Sequence, residues 1–423
     1  MLCCYIYRKR ARITVIAGIL SLVAAYLFDA RYELKSDLYP ANVCYNIALA
    51  FQRTAQTQHY AETSKDFTFQ AKTTRPEKNR EVYVMVIGET SRAANWSIYG
   101  YNRNTNPELT KIKGLTAFSH VLTESNTTHK SVPMLMSSVT AHDFNSIYRQ
   151  KGIITAFKEA GYRTAFFSNQ RYNHSFIDFF GKEADICDFI KEDTGDGGYN
   201  PSDDELLKLV AAELAENASK QFIVLHTYGS HFNYRERYPA DNAFFLPDFP
   251  VDAELKYKDN LINAYDNSIR YTDNFLARLI RMLQEQDIDT AMLYTSDHGE
   301  DIFDDDRHLF LHASPVPSYY QIHVPFLVWM SDNYRKNYPD LFKNAEINRQ
   351  KNISSSASFF QTMLELGGID TPCRNDSLSV INASYTEKNR VYLNDHNEAR
   401  SLDDIGMREE DFTMLQTKGI VYR

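Results

Sequence analysis

The chain has 423 residues, which is enough for one large α/β domain with appendages or for two domains. Its hydrophobic fraction of 43% and charged fraction of 24% are typical of a globular protein with a full core. The net charge of −9, without a long basic block in the body of the chain, argues against a nucleic-acid partner.

An uncharged apolar segment lies near the amino terminus, at residues 13–28 (ITVIAGILSLVAAYLF). It is shorter than the roughly 20 residues that usually span a membrane. The bulky Tyr26, Leu27 and Phe28 make a poor cleavage site, so we favour an uncleaved membrane anchor helix over a signal peptide or a buried soluble helix. Basic residues precede the segment, which predicts a cytoplasmic amino terminus and a body outside the membrane.

The next part of the chain separates the apolar segment from the body. Residues 41–56 have the pattern of an amphipathic helix, either at the membrane surface or packed on the soluble domain. Residues 61–80 are polar and are predicted to be a linker. The expected division is therefore residues 1–30 (basic start and transmembrane helix), 31–80 (juxtamembrane helix and linker) and 81–423 (catalytic domain).

From residue 81 onward, short apolar runs alternate with helical stretches. The runs predicted as buried parallel strands are residues 82–88, 163–168, 222–228, 291–296 and 324–330. The predicted helices between them are residues 153–160, 203–218 and 266–286. This alternation predicts an α/β fold with a doubly wound, mostly parallel sheet flanked by helices.

Polar side chains that can bind metals follow several of these strands. Glu89 follows the first strand, Asp297 and His298 follow the fourth, and His226 and His231 lie at the end of the third. Sites in open α/β sheets lie at the carboxyl ends of strands, so these residues are expected to converge. An adjacent Asp and His offer an oxygen and a nitrogen, a combination that suits Zn²⁺.

A cluster of hydroxyl residues lies in the segment SNTTHKSVPM, at residues 125–134. A Ser or Thr nucleophile needs activation, which metal coordination supplies. The same segment is also typical of a helix start capped by Thr127 or Thr128. The two interpretations are compatible, because a helix amino terminus favours a bound anion. The acidic residues 304–306 lack EF-hand spacing and are predicted to be a solvated loop.

Six motifs resemble those of a known family. In chain order they are GETSRAANWSIYGYNRNTNP (88–107), SNTTHKSVPM (125–134), LHTYGSH (225–231), NAYDNSIRYTDNF (263–275), SDHGE (296–300) and LFLHASP (309–315). Together they are similar to the phosphoethanolamine transferases of Gram-negative bacteria, which belong to the alkaline-phosphatase superfamily and modify lipid A or other envelope glycans. The resemblance covers about residues 80–370 and implies a sulfatase-like fold.

The resemblance also implies roles for individual residues. The implied ligands of one tightly bound zinc are Glu89, Thr128, Asp297 and His298. Thr128 is the implied nucleophile, because it lies five residues before Pro133, as the nucleophile of the family does. His231 and His312 match positions that bind the head-group phosphate or a second metal. Manganese is the alternative cofactor.

The implied reaction transfers phosphoethanolamine from phosphatidylethanolamine to lipid A or an envelope glycan. It proceeds through a zinc-activated threonine and a covalent phospho-threonine intermediate. The implied location is the bacterial inner membrane, with the catalytic domain in the periplasm. Members of the family usually have several membrane helices and several disulfides, whereas this chain has one clear apolar segment, and Cys187 and Cys373 allow one disulfide between them.

Three other functions are compatible with the same fold. A sulfatase needs a C/S-x-P-x-R pattern, which is absent around Thr128. A phosphoglycerol transferase uses the same threonine and Asp-His arrangement, often with manganese, and is the main alternative. A non-catalytic envelope binding protein is disfavoured, because all four metal-binding positions are filled.

Overall fold

The computed structural model divides into two compact units, Met1–Lys65 and Asp66–Arg423. It describes residues 11–21, 23–24, 26–27, 39–76, 80–191 and 200–422. Residues 22, 25 and 28 of the predicted anchor, and residues 29–38 after it, lie outside these ranges. No helix within the described ranges is both long and apolar enough to cross a membrane. The predicted division at residues 30 and 80 stays a prediction.

The first unit is helical where it is described. Residues 11–21 are helical, and two further helices are α1 (Ala41–Gln58) and α2 (Tyr60–Thr63). Val43, Ile47 and Phe51 are exposed and lie four residues apart, which places them on one face of α1. The predicted amphipathic helix over residues 41–56 is therefore confirmed.

The second unit is built around strands, five of which (β2, β5, β7, β8 and β11) match the predicted apolar runs. Its strands are β1 (Lys72–Thr73), β2 (Glu81–Gly88), β3 (Leu115–Phe118), β4 (Val121–Leu122), β5 (Arg163–Ser168), β6 (Ile186–Phe189), β7 (Lys220–His226), β8 (Asp289–Ser296), β9 (Asp301–Ile302), β10 (Phe310–Leu311), β11 (Phe326–Met330), β12 (Ile353–Ser354), β13 (Ile369–Asp370), β14 (Val391–Leu393) and β15 (Ala399–Ser401). Every residue of β2, β7 and β8 is buried, which explains why these runs are continuously apolar.

Helices separate the strands. They are α3 (Thr128–Leu135), α4 (Ile153–Glu159), α5 (Phe176–Gly181), α6 (Asp204–Ala215), α7 (Lys258–Gln284), α8 (Tyr319–Ile322), α9 (Asp332–Asn337), α10 (Pro339–Asn348), α11 (Ser355–Leu366) and α12 (Glu409–Thr417). All three predicted helices are present. The helix predicted over residues 266–286 begins earlier, at Lys258, and ends at Gln284. Its first turns already bury Leu261, Ala264 and Tyr265, which extend the apolar side of the helix toward its start.

The central sheet has the strand order β3-β11-β8-β2-β7-β5-β6. Neighbours from β8 to β6 are parallel, whereas β11 is antiparallel to both β8 and β3. The mostly parallel sheet is confirmed, but the prediction that residues 324–330 form a parallel strand is wrong. A strand buried on both faces has the same apolar pattern in either direction. Its direction depends on the connection, and here the chain returns from the end of β8 without a crossover to the opposite edge.

The segment predicted to be a polar linker is partly integrated into the second unit. β1 pairs with β13, and the Phe69 side chain is buried. The backbone N–H groups of Phe69 and Ala71 donate hydrogen bonds to the Glu159 carboxylate, at 3.1 and 2.9 Å. For residues 66–76 the linker prediction is wrong, because backbone pairing fixes a segment whose side chains are mostly polar.

The cysteines of the second unit are unbonded. Cys187 lies in β6, the last strand of the central sheet, and Cys373 follows β13 in a separate two-stranded sheet. Both are free and half-buried. The disulfide that the sequence allows is therefore not formed. The positions of the cysteines along the chain do not reveal that β6 and β13 belong to different sheets.

Candidate active site

Two acidic residues and a histidine meet where two neighbouring strands end. Glu89 follows β2, and Asp297 and His298 follow β8; the last residues of these strands, Gly88 and Ser296, are paired in register. All three side chains are buried, and their ligand atoms lie within 4.8 Å of one another. The predicted convergence of Glu89, Asp297 and His298 is therefore observed.

Asp297 has one satisfied and one unsatisfied oxygen. Its Oδ1 accepts hydrogen bonds from the backbone N–H groups of Thr90 and His298, at 3.1 and 2.8 Å. Its Oδ2 is buried without a hydrogen-bond donor in the described part of the protein. A buried carboxylate oxygen without a partner is costly, and a bound cation would satisfy it.

The His298 ring is oriented as a metal-binding imidazole. Its Nδ1 donates a hydrogen bond to the carbonyl oxygen of Gly299, at 2.9 Å, so Nε2 carries the lone pair. Nε2 lies 3.3 Å from Asp297 Oδ2 and 3.5 Å from Glu89 Oε1. Burial, reinforced by the charge of His312, holds the pKa of His298 well below its ordinary value, which favours the neutral ring that metals bind.

Glu89 is held by donors on both oxygens. The Thr90 hydroxyl donates to Oε1 at 2.6 Å, and Gln170 Nε2 donates to Oε2 at 3.3 Å. Burial and the neighbouring Asp297 carboxylate raise the pKa of Glu89 well above its ordinary value. Two carboxylates buried side by side repel each other when both are ionised. A divalent metal between them would neutralise this negative charge.

A glycine permits close packing behind Glu89. Gly229 has a φ of +49°, and a Cβ built on it would lie 2.6 Å from the backbone oxygen of Glu89. Another residue here would meet both an unfavourable backbone conformation and a clash. The glycine of the LHTYGSH motif is thus explained by its contact with the metal-type cluster.

Thr128 is the first residue of α3, and Thr127 is its N-cap. The Thr128 hydroxyl lies 3.2 and 3.3 Å from the two Glu89 oxygens and 3.1 Å from His298 Nε2. Thr127 is placed elsewhere, with its hydroxyl 3.2 Å from that of Ser125. The sequence allowed either Thr127 or Thr128 to cap this helix. Thr128 is the one that contacts the cluster of Glu89 and His298.

The two further histidines border the same cluster. The ring centroids of His312 and His298 are 4.2 Å apart, and those of His312 and His231 are 6.0 Å apart. Burial lowers the pKa of His231 to about 4. For His312, burial opposes the charged form, but the Glu300 carboxylate, 3.4 Å from its Nδ1, outweighs burial and raises the pKa. All six predicted site residues thus lie together, while their roles remain predictions.

Two other candidates from the sequence lie outside the cluster. His226 is buried at the end of β7, where its Nδ1 is 3.3 Å from the Ser168 hydroxyl. In the acidic loop, Asp304 forms a buried ion pair with Arg92 at 2.6 Å, whereas the pair between Asp306 and Arg408 is exposed. The solvated-loop prediction is therefore wrong for Asp304, whose burial depends on a distant arginine.

A cavity of about 290 Å³ opens beside Thr128. Its lining includes three side chains that the sequence analysis missed: Gln170, Arg171 and Lys191. They follow β5 and β6, so the same strand-end rule that identified Glu89 would have located them. Cationic side chains next to a hydroxyl nucleophile suit an anionic substrate.

The cationic wall of the cavity is organised around an aromatic ring. Lys191 Nζ lies 3.3 Å, and Arg237 Cζ 4.1 Å, from the centre of the Tyr228 ring, which also stacks on His231. Burial, followed by the charges of Arg237 and Arg171, lowers the pKa of Lys191 to about 8. The wall therefore places positive charge in the cavity that Thr128 also lines.

The chain is similar to known proteins over about two thirds of its length. The sulfatase family model matches residues 81–369. The Kdo(2)-lipid A phosphoethanolamine 7''-transferase of Escherichia coli K12 is 31% identical over 296 residues, which cover 69% of this chain and 51% of the relative. The chain spans about half the length of the curated relatives it matches. The resemblance to phosphoethanolamine transferases is confirmed.

Solved structures show the same fold. The C-terminal periplasmic domain of EptC from E. coli, solved in complex with zinc, superposes with a TM-score of 0.71 at 24% identity, covering 79% of this chain and 95% of that domain. The soluble domain of lipooligosaccharide phosphoethanolamine transferase A from Neisseria meningitidis superposes with a TM-score of 0.66 at 26% identity, covering 73% and 95%. A sulfatase-like α/β fold, shared with these two domains, is thereby established.

Proposed function

The chain belongs to the sulfatase family, and from this premise we propose that it transfers phosphoethanolamine from phosphatidylethanolamine to lipid A or another envelope glycan. The observation that carries the proposal is the Thr128 hydroxyl, which lies within 3.3 Å of both Glu89 and His298. A curated relative bears the name of a lipid A phosphoethanolamine transferase. The sulfatase nucleophile pattern is absent from the segment around Thr128, which favours transfer over sulfate-ester hydrolysis.

One zinc would be held by Glu89, Asp297 and His298 together with Thr128. The unpartnered Asp297 oxygen and the Nε2 lone pair of His298 support this assignment. When bound, the metal would favour the ionised form of the Thr128 hydroxyl and withdraw charge from phosphate oxygens. Manganese is the alternative cofactor.

In the first half of the proposed reaction, Thr128 Oγ1, whose proton has passed to solvent, attacks the donor phosphorus as the oxyanion. A bond from phosphorus to Thr128 forms as the bond to the glycerol oxygen breaks, which leaves diacylglycerol and a phosphoethanolamine-threonine. The departing oxygen takes up a proton, and we assign this donation to His312, because Glu300 favours its protonated form. Lys191 and His231 lie on the cavity side, where they would face the phosphate oxygens.

In the second half, a hydroxyl or phosphate oxygen of the acceptor attacks the same phosphorus, and Thr128 is the leaving group. Its position at the start of α3 supports this step, since backbone N–H groups at a helix amino terminus favour developing negative charge. His312, deprotonated after the first half, would accept the proton of the acceptor.

We further propose that the catalytic domain, residues 81–423, is periplasmic and is tethered to the inner membrane by the apolar segment at residues 13–28. Residues 31–80 would then include the juxtamembrane helix α1. A solved relative is described as a C-terminal periplasmic domain. The uncharged segment with basic residues before it supports the same arrangement.

The proposal is tested by intact-protein mass spectrometry after incubation with phosphatidylethanolamine. A phosphoethanolamine adduct is expected on the wild-type protein, absent from Thr128→Ala and retained in the matched control Thr127→Ala. Circular dichroism checks that each variant is folded. An adduct from phosphatidylglycerol alone would indicate a phosphoglycerol transferase, and no adduct together with no bound zinc would indicate a binding protein.

A further inference from the structure

Large apolar side chains are exposed in the connection between β7 and α7. Phe244, Leu246 and Phe249 are 58%, 66% and 70% exposed, and Leu255 is 48% exposed. We call residues 244–255 the apolar loop. Exposed phenylalanine and leucine side chains so close together are unusual on the surface of a soluble domain. They indicate that this surface binds an apolar partner such as a membrane or a protein.

The apolar loop lies at the same edge of the sheet as the candidate active site. The connection leaves β7 at its carboxyl end, after His226, and α7 begins at Lys258. Near the start of α7, Lys258 Nζ donates to the carbonyl oxygen of Phe303, and the Tyr265 hydroxyl donates to the carbonyl oxygen of Thr90, the residue after Glu89. The connection that carries the apolar loop therefore starts and ends at the edge of the sheet where Thr128 lies.

Side chains of α7 hold the loop backbone in place. Asn267 Oδ1 accepts hydrogen bonds from the N–H groups of Phe244 and Phe245, at 2.9 and 2.8 Å. Asn263 Nδ2 donates to the carbonyl oxygen of Pro247 at 2.8 Å. The exposed apolar side chains are thus presented by an anchored backbone, which lowers the entropic cost of inserting them into another phase.

Charge around the apolar loop does not favour an electrostatic contact. Three basic side chains beside the loop are paired with acids: Arg235 with Asp248 at 3.1 Å, Lys256 with Glu254 at 2.8 Å, and Arg103 with Asp266 at 2.6 Å. The Arg270 guanidinium lies 4.2 Å from the centre of the Phe244 ring. Because the three paired cations carry compensated charge and Arg270 is a single cation beside the tips in the described part of the protein, a zwitterionic phospholipid surface fits better than an anionic one.

We propose that the apolar loop inserts into the phospholipid bilayer and holds the carboxyl edge of the sheet against the membrane. This inference rests on the proposed function, because a lipid donor explains why the reacting edge faces a bilayer. Phe244, Leu246 and Phe249 enter the acyl-chain region, while the asparagine contacts with α7 remain outside it. The head group of a lipid in the same leaflet can then reach the cavity beside Thr128 without leaving the membrane.

A tryptophan reporter tests the insertion in the full chain. The two natural tryptophans, Trp96 and Trp329, are fully buried, so a third placed in the apolar loop dominates any quenching by lipid. Phe249→Trp is reconstituted in vesicles of phosphatidylethanolamine and phosphatidylcholine with brominated acyl chains. The matched control is Gln284→Trp, at the exposed carboxyl end of α7, on the opposite edge of the sheet.

Bromine is expected to quench Phe249→Trp several-fold more than Gln284→Trp, and anionic lipid should not be required. Equal quenching of the two variants would overturn the proposal. So would a blue-shifted but unquenched emission from Phe249→Trp, which would indicate cover by protein, or quenching that appears only with anionic lipid. The Thr128 adduct is measured in the same samples: an adduct without quenching removes the insertion alone, and quenching without an adduct removes the transferase function alone.

Discussion

The hydroxyl oxygen of Thr128 lies 3.1 Å from Nε2 of His298, although the two residues are 170 positions apart in the chain. One sits at the start of a helix and the other directly after a central strand. Because Nδ1 of His298 donates to the Gly299 carbonyl, the nitrogen that faces Thr128 carries a lone pair. The hydroxyl and the lone pair therefore face the same small volume, which is the arrangement that a shared metal requires.

Asp297→Asn is expected to weaken zinc binding by about tenfold or more. The substitution replaces the unpartnered, negatively charged oxygen with an amide NH2 group, which is not a metal ligand. The amide oxygen can still accept from Thr90 and His298, so the local backbone should keep its conformation. Zinc per chain is measured by elemental analysis after dialysis against a weak chelator. Asp306→Asn, at an exposed position, is the control, and equal zinc in both variants would contradict the metal assignment.

Lys191→Met is expected to lower kcat/KM for the lipid donor about tenfold or more, because it removes a positive charge from the cavity wall. Lys191 is charged below its pKa of about 8, so activity should fall as the pH rises through about 8. Lys191→Arg keeps its charge at higher pH, and its alkaline limb should therefore move upward. Identical pH profiles for wild type and Lys191→Arg would show that this cation does not set the limb.

Asp304→Asn is expected to destabilise the protein by about 3 kcal/mol, since it leaves the buried Arg92 without its charged partner. The neighbouring Asp306→Asn should change the free energy of unfolding by less than about 0.5 kcal/mol, because its pair with Arg408 is exposed. Urea unfolding of the two variants gives the comparison. Similar small effects from both substitutions would mean that the Arg92 pair adds little to stability.

The buried His323 is expected to lower the free energy of unfolding in acid. Its Nε2 donates to the Ser119 carbonyl at 2.9 Å, and its Nδ1 accepts from the Tyr319 hydroxyl at 2.8 Å, so both nitrogens are satisfied in the neutral ring. Burial lowers the folded pKa to about 3. The unfolded chain therefore binds the proton first, and the stabilising contribution is lost as the pH falls below about 6.5, by about 2 kcal/mol between pH 7 and pH 5.

The measurement is urea unfolding of wild type and His323→Gln at pH 7 and pH 5. The variant should be less stable at pH 7 but should lose about 2 kcal/mol less on acidification. His226, whose pKa is also lowered to about 3 by burial, contributes equally to both proteins and cancels from the comparison. If wild type and His323→Gln lost the same unfolding free energy between pH 7 and pH 5, the acid sensitivity would belong to groups other than His323.

The sequence by itself determined five strands of the seven-stranded central sheet and the six predicted residues of the candidate site. Continuous apolar runs such as β2 and β8 identify strands buried on both faces, because burial of that kind tolerates few polar residues. Glu89 and Asp297 were located because a strand end in an open α/β sheet is where a site forms. The order of motifs indicated the family, and the five-residue spacing to Pro133 that the family implies selected Thr128 over Thr127.

The tertiary structure decided what depends on partners distant in the chain. The antiparallel direction of β11, the pairing of residues 72–73 with β13 and the burial of Asp304 against Arg92 all follow from contacts that local pattern does not encode. The cationic wall around Lys191 and the exposure of the apolar loop belong to the same class. Apolar periodicity reports how much of a side chain is buried, whereas direction, pairing and exposure depend on which neighbour the fold brings to it.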